Sequence, residues 1–433
     1  MSGYPFAEGS GMGGHPLKSR EDPGVLFISN GHGEDLMAAQ LASALQEKIP
    51  GLRIMALPLV GAGEAYLRRG IRLVGPTQTL PSGGFLRNSL KNLWMDLRAG
   101  LLSLTFRQIA ALKAAASEAR MTVCVGDVAL VLLAGLFVRR PAVFLPTAKS
   151  DYIAPHTALE VWLMRRFCTE VYPRDARTAE GLRKRGVNAS YLGNVMMDSM
   201  TITGMGFGEE TGEEWARGED AGEEKAGGAP SGRRIMVGIL PGSREEAYQN
   251  MQLIGEAASA FARLVKGNTV FLVALAGGLA MDRLAEVMAG FGWRSCARPE
   301  AVQPGLVGCL EREEVRLLIF KERFGDILHA AKIVLGLAGT ANEQAVGLGK
   351  PVVTFVGTGP QFNARFVATQ KRLLREAITV VEARPELIAQ EMAAILDDPA
   401  RYRRMQEAGR ERMGSAGAVE RIVTRLTNLL THP

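Results

Sequence analysis

The chain is poor in cysteine, aromatic residues and long apolar runs, and each shortage excludes something. Its 433 residues include four cysteines, Cys124, Cys168, Cys296 and Cys309, none of them in a CxxC pair. Neither a thiolate metal cluster nor a disulfide framework is therefore expected. Aromatic residues make up 6% of the chain, and no recognition motif or strongly basic stripe stands out, which argues against a nucleic-acid partner. The most apolar stretch, residues 121–138, is interrupted by Gly126 and Asp127. What remains is far short of the ~20 residues that span a bilayer. Residues 1–23 lack the apolar region of a secretory signal and read as a disordered leader. The expected location is cytoplasmic, with any membrane contact made peripherally at the inner face.

Other features are abundant. Hydrophobic residues at 47% and charged residues at 22% are ordinary for a globular protein, and the length predicts two or three domains. The 50 glycines exceed the usual ~7% share and call for tight turns or a flexible segment. One composition shift supplies such a segment. Residues 204–232 hold eight acids, two bases and much Gly and Ala, with no hydrophobic period. Chain of this kind buries too little apolar surface to offset its ordering entropy, so it reads as an acidic linker. The net charge of +6 understates the basicity of what flanks it. Residues 51–149 alone carry 13 bases against four acids, a face suited to an anionic membrane or a phosphorylated lipid.

On both sides of the linker, short apolar β-branched runs alternate with helical periods. GVLFIS, LRIMALPLV, MTVCVG and PAVFLPT come before it; RIMVGIL, TVFLVAL, VRLLIF, KIVLGLAG and KPVVTFVG come after. Strands of this kind belong to parallel sheets covered on both faces. The expectation is an α/β protein of two doubly wound, Rossmann-like domains facing a cleft: a leader at 1–23, domains at 24–203 and 233–433, and the linker between them. Ligands of such sheets bind outside the carboxyl ends of the strands, so the turns there are the places to search.

Four turns carry candidate chemistry. In NGHGED (30–35), Gly31 and Gly33 let backbone amides approach a ligand, and His32 titrates where a general base works. Glu34 and Asp35 either face the cleft or cap the following helix. In CVGDVALVLL, Asp127 sits between an apolar strand and an apolar helix; it either caps that helix or acts as a base. In LPGSRE (240–245), Gly242 and Ser243 expose amides and Arg244 offers a charged fork to phosphate oxygens. In GLAGTANEQAVGLGKPVVTF (336–355), a helix beginning near Gly339 and Thr340 suits a diphosphate. Glu343, one turn in, can accept hydrogen bonds from the paired hydroxyls of a ribose, or close a capping box with Thr340.

LPGSRE, AGTANEQAVGLGKPVV and RMQEAGRERMGSAGAVERI together resemble the C-terminal half of glycosyltransferases of the B fold, and among them the lipid-A-disaccharide synthases. YPRDARTAEGLRKRGVNASYLGNVMMDSM (172–200) is similar to the end of that family's first domain. The resemblance implies a metal-independent inverting transfer of a sugar, an acylated or N-acetyl glucosamine, from a UDP-sugar to a lipid or membrane-linked acceptor, with no cofactor beyond the donor. It assigns Gly339, Thr340 and Glu343 to the donor's diphosphate and ribose, and Gly242, Ser243 and Arg244 to the phosphates. Asp127 lies near the family's essential first-domain aspartate; Gly31, Gly33 and Glu34 fall on the acceptor side. A homodimer is compatible with the pattern. A lipid acceptor requires membrane contact, and residues 85–116 mix Leu, Trp and Phe with Arg and Lys at helical spacing. Two other readings stand beside transfer: a UDP-sugar epimerase or hydrolase of the same fold, and a non-catalytic nucleotide-sugar or membrane-surface binder.

Overall fold

The computed structural model describes residues 24–77, 101–207, 234–266, 269–296, 304–359 and 362–431. The leader, most of the linker and residues 78–100, which include the first part of the amphipathic stretch, lie outside them.

Two sheets organise the chain. The first contains β1 (Gly24–Ser29), β2 (Arg53–Pro58), β3 (Arg72–Leu73), β4 (Ala119–Gly126), β5 (Ala142–Pro146) and β6 (Cys168–Val171), in the order β3-β2-β1-β4-β5-β6. Every pairing in it is parallel. All six residues of β1 are buried, as expected of a strand with helices on both faces. The second sheet contains β7 (Ile235–Leu240), β8 (Thr269–Ala274), β9 (Arg294–Ser295), β10 (Leu306–Arg312), β11 (Val315–Phe320), β12 (Ile333–Gly336), β13 (Val352–Phe355) and β14 (Ile378–Val381). Its order is β14-β13-β12-β7-β8-β11-β10-β9, parallel from β14 to β11 with an antiparallel hairpin at the far edge.

In each sheet the strand order reverses beside the first strand, between β1 and β4 and between β7 and β12. These switch points open the crevices in which doubly wound sheets hold ligands.

Three details depart from the sequence expectation. Cys296 and Cys309 are bonded, with Cα atoms 5.4 Å apart. They face each other across the β9–β10 edge, a juxtaposition that a spacing rule does not register. The linker begins later than 204: Phe207 is buried against Phe320, ring centroids 5.1 Å apart, under the Arg323 guanidinium. The last helix, Ala418–Thr431, packs on the helix His32–Lys48 of the first lobe. Its Ile422, Val423, Leu426 and Leu430 join an apolar cluster that runs without a break through Met196, Met197 and Met413 into both lobes.

Candidate functional site

The first-lobe half of the site is built on β1, β4 and β5. After β1, Gly31 is the residue before the helix His32–Lys48, extended at φ 165°, and no side chain caps that helix. The His32 side chain lies outside the described residues. Gly33 has no neighbour within 4 Å of where a Cβ would sit, so this turn is open on its outer side. Asp35 neither caps nor faces the cleft. It is buried and accepts the Ser29 hydroxyl at 2.5 Å, and Ser29 in turn bonds the Tyr66 hydroxyl at 2.7 Å. Burial pushes the Tyr66 phenol well above its ordinary range, so this cluster is a neutral-hydroxyl anchor for the turn. Glu34 stays at the cleft, where its carboxylate accepts the Thr147 hydroxyl at 3.2 Å just past β5.

Asp127 follows β4 and is exposed. Its Oδ1 accepts the Ala129 amide at 2.8 Å, so it does cap the helix Val128–Leu133, and its own amide donates to Asn30 Oδ1 at 2.7 Å. That contact ties the β1 and β4 turns together, and it requires Gly126. At φ +145°, a Cβ on Gly126 would lie 1.9 Å from Asn30 Oδ1. The structure therefore brings Gly31, Glu34 and Asp127 to one switch point.

The second-lobe half is built on β7 and β12. Gly242 has φ +109°, and a Cβ there would approach the Leu337 carbonyl to 3.2 Å, so the two turns are in contact. Ser243 and Arg244 are exposed. Ser243 is not a cap, because the next helix starts at Glu246 with Glu245 in the capping position. The helix Thr340–Gly347 begins after Gly339 with no side-chain cap. Its leading turn is held from behind: Asn342 donates to the Gly336 carbonyl at 3.1 Å, and Gln370 to those of Ala338 and Gly339 at 3.1 and 3.0 Å. With the carbonyls turned inward, the exposed helix N-terminus presents a positive dipole end. Gly242, Ser243, Arg244, Gly339 and Thr340 thus share the second switch point.

Glu343 is occupied differently from either sequence reading. No capping box forms with Thr340; instead its Oε2 binds the Arg174 guanidinium across the lobes. Arg174 stands three residues after β6, and it also donates to the Thr147 carbonyl at 3.2 Å. Burial opposes the charge on Arg174, but the Glu343 carboxylate outweighs it and holds the guanidinium's pKa above its ordinary value. Sequence reasoning quoted YPRD only as part of a resemblance and gave Arg174 no role. Asn30 and Thr147 were also missed; each is an ordinary turn residue until its partner is known. Among the described residues no three His, Cys, Asp or Glu side chains gather as a metal site, and no helix is long and apolar enough to cross a membrane.

No protein-family model matches the chain. Over 206 residues it is 28% identical to the lipid-A-disaccharide synthase of Trichlorobacter lovleyi, a match covering 44% of this chain and 48% of that protein. The chain thus spans about half the length of the curated relative it matches. Two solved structures are similar over nearly the whole chain. The calicheamicin glycosyltransferase CalG4 superposes with a TM-score of 0.57 at 15% identity, covering 95% of this chain and 99% of that one. The UDP-GlcNAc 2-epimerase of Neisseria meningitidis, bound to UDP-GlcNAc, gives 0.52 at 16%, covering 94% and 100%. The likeness shows the fold: two Rossmann-like lobes of the glycosyltransferase-B type, shared by transferases and epimerases.

Proposed function

We propose that this glycosyltransferase-B fold serves a UDP-sugar enzyme, and specifically an inverting transferase to a lipid or lipid-phosphate acceptor. The observation that carries the reading is the second switch point, where a glycine turn ending in Arg244 meets an uncapped helix N-terminus at Gly339 and Thr340. Backbone amides, a helix dipole and a guanidinium form a field suited to a diphosphate leaving group, with no cofactor beyond the donor. Glu343 engages Arg174 through Oε2, which leaves Oε1 for the ribose hydroxyls. The acceptor hydroxyl gives its proton to a first-lobe base, Asp127, Glu34 or His32. Its oxygen then bonds the sugar's anomeric carbon from the face opposite the diphosphate, and UDP departs with the electron pair of the broken bond.

A lipid acceptor is supported by the outer face of the first lobe. Phe106 (70% exposed), Leu159 (66%) and Trp162 (57%) project there beside Leu132 and Leu136. Their helices, Leu101–Ala115, Val128–Leu133 and Ala158–Phe167, are neighbours linked through the turn Ala134–Val138. Arg107, Lys113, Arg165 and Arg166 lie on the same helices.

The test is product analysis with UDP-GlcNAc and acylated UDP-glucosamine, with and without a lipid-phosphate acceptor. UDP release that requires the acceptor supports transfer. Conversion of the donor to an epimer, or UDP release without acceptor, replaces transfer by the epimerase or hydrolase reading. A thermal-shift panel of UDP, UDP-GlcNAc, GDP and NAD, repeated on Glu343→Ala, tests the donor class itself. No response to any uridine nucleotide sinks it.

A further inference from the structure

Beyond the diphosphate turns, residues of both lobes line an open cavity of about 520 Å³. Small-molecule sites commonly have this volume. Tyr152 and Arg177 line it from the first lobe. Arg372, Arg375 and Arg412 line it from the second, and Glu376 is the one carboxylate against these cations and Lys371. None of the four arginines forms an ion pair with a described carboxylate. Lys371 is committed elsewhere: its ammonium donates to the carbonyls of Arg375 at 2.8 Å and Ile378 at 2.6 Å. The first of these bonds fixes the turn on which Arg375 sits at φ +50°.

Arg412 is the informative residue. It is only 6% exposed, and its guanidinium lies 3.5 Å from the centre of the Tyr152 ring, while Arg177 stacks on that ring at 5.3 Å. Its Nη1 is buried with no hydrogen-bond partner among the described residues. A guanidinium has donors only, and a buried donor without an acceptor is costly. An anion seated against this guanidinium would offset that cost.

We propose that this cavity binds a phosphoryl or diphosphoryl group, whose oxygens bridge Arg177 of the first lobe to Arg372, Arg375 and Arg412 of the second. Planar guanidinium forks match phosphate oxygens, and the aromatic ring holds two of the forks in place. The inference does not rest on the reaction proposed above, since none of these residues belongs to the donor turns. Because both lobes contribute, an occupant stabilises their present arrangement by mass action.

The test is calorimetric titration of inorganic pyrophosphate into Arg244→Gln protein, in which the donor turns are weakened. The same background is then combined with Arg177→Gln plus Arg372→Gln, two exposed positions whose change leaves the core intact, and separately with Arg412→Gln. We expect binding in the parent, and a loss of about tenfold or more in affinity in the exposed double variant, without change in its unliganded Tm. A parallel arm uses vesicles containing phosphatidic acid. Binding there that the double variant loses, with none to pyrophosphate, assigns the phosphoryl group to a lipid headgroup. No binding in either arm, or binding that the double variant retains, overturns the site.

Discussion

Removing either partner of the Arg174–Glu343 pair alone should do more harm than removing both. Arg174 and Glu343 side chains are 11% and 15% exposed, so Arg174→Ala leaves a partly buried carboxylate without its guanidinium. Breaking such a pair from one side costs about 3 kcal/mol, whereas neutralising both sides costs much less. Urea unfolding of Arg174→Ala, Glu343→Gln and the double variant should therefore show strong coupling; additive losses would refute it. Lys350 gives a second residue-scale prediction. Burial, with Lys332 and Arg410 nearby, pushes its ammonium down to about 8. A folded-state pKa below the unfolded value means that the native protein releases a proton. The cost is then complete below pH 8 and fades as pH rises toward the ordinary value of 10.5. Stability should climb from about pH 8 until the free thiols titrate near their ordinary value of 9.0, where buried Cys124 and Cys168 begin to oppose it, joined near 10.0 by buried Tyr66 and Tyr172. Lys350→Met should flatten that climb in Tm measured across the window. Glycines and candidate ligands in the turns were legible because turn chemistry is local. Arg174 was not, because its partner lies 169 residues away and no spacing encodes the pairing.

Elements were legible where burial on both faces wrote apolar, β-branched runs into the chain, as in GVLFIS and RIMVGIL. The alternation of strand and helix fixed the class of sheet, but not the strand order or the antiparallel edge. The last helix shows the limit most clearly. Its stripe of Ile422, Val423, Leu426 and Leu430 announces a buried face without saying which lobe buries it. The structure answers through Asp198, at the end of the helix Val195–Asp198. Its two carboxylate oxygens accept the amides of Gly417 and of Val419, the latter at 2.7 Å, so a residue of the connecting segment caps a helix 219 positions on. Asp198→Ala should cost about 1 kcal/mol, the usual size of a lost N-cap. Hydrogen exchange should quicken first at residues 417–421. Unchanged protection there would show that the apolar stripe alone anchors the helix.

At the scale of the whole molecule, the distribution of charge matters more than its total. Bases in the first lobe surround an apolar outer face, and two of them already lie against its aromatics: Arg166 over Phe167 at 5.3 Å and Lys113 over Phe137 at 5.4 Å. Cations stacked beside these half-buried rings keep their charge at the level where a bilayer's headgroups would meet them, while Phe106, Leu159 and Trp162 are more exposed. Each basic side chain near an anionic surface contributes about 1 kcal/mol, and that contribution decays over a Debye length. Co-sedimentation with phosphatidylglycerol vesicles should therefore weaken by roughly tenfold or more in Arg166→Gln with Lys113→Gln. Raising the salt should weaken the wild type in the same direction. Trp162→Ala should weaken binding as well, but with little salt dependence, since its share is apolar. Uncharged phosphatidylcholine vesicles should not separate wild type from the charge variant. If the charge variant binds anionic vesicles as wild type does, the basic face is only solvated surface, and a lipid acceptor would have to reach the cleft by another side.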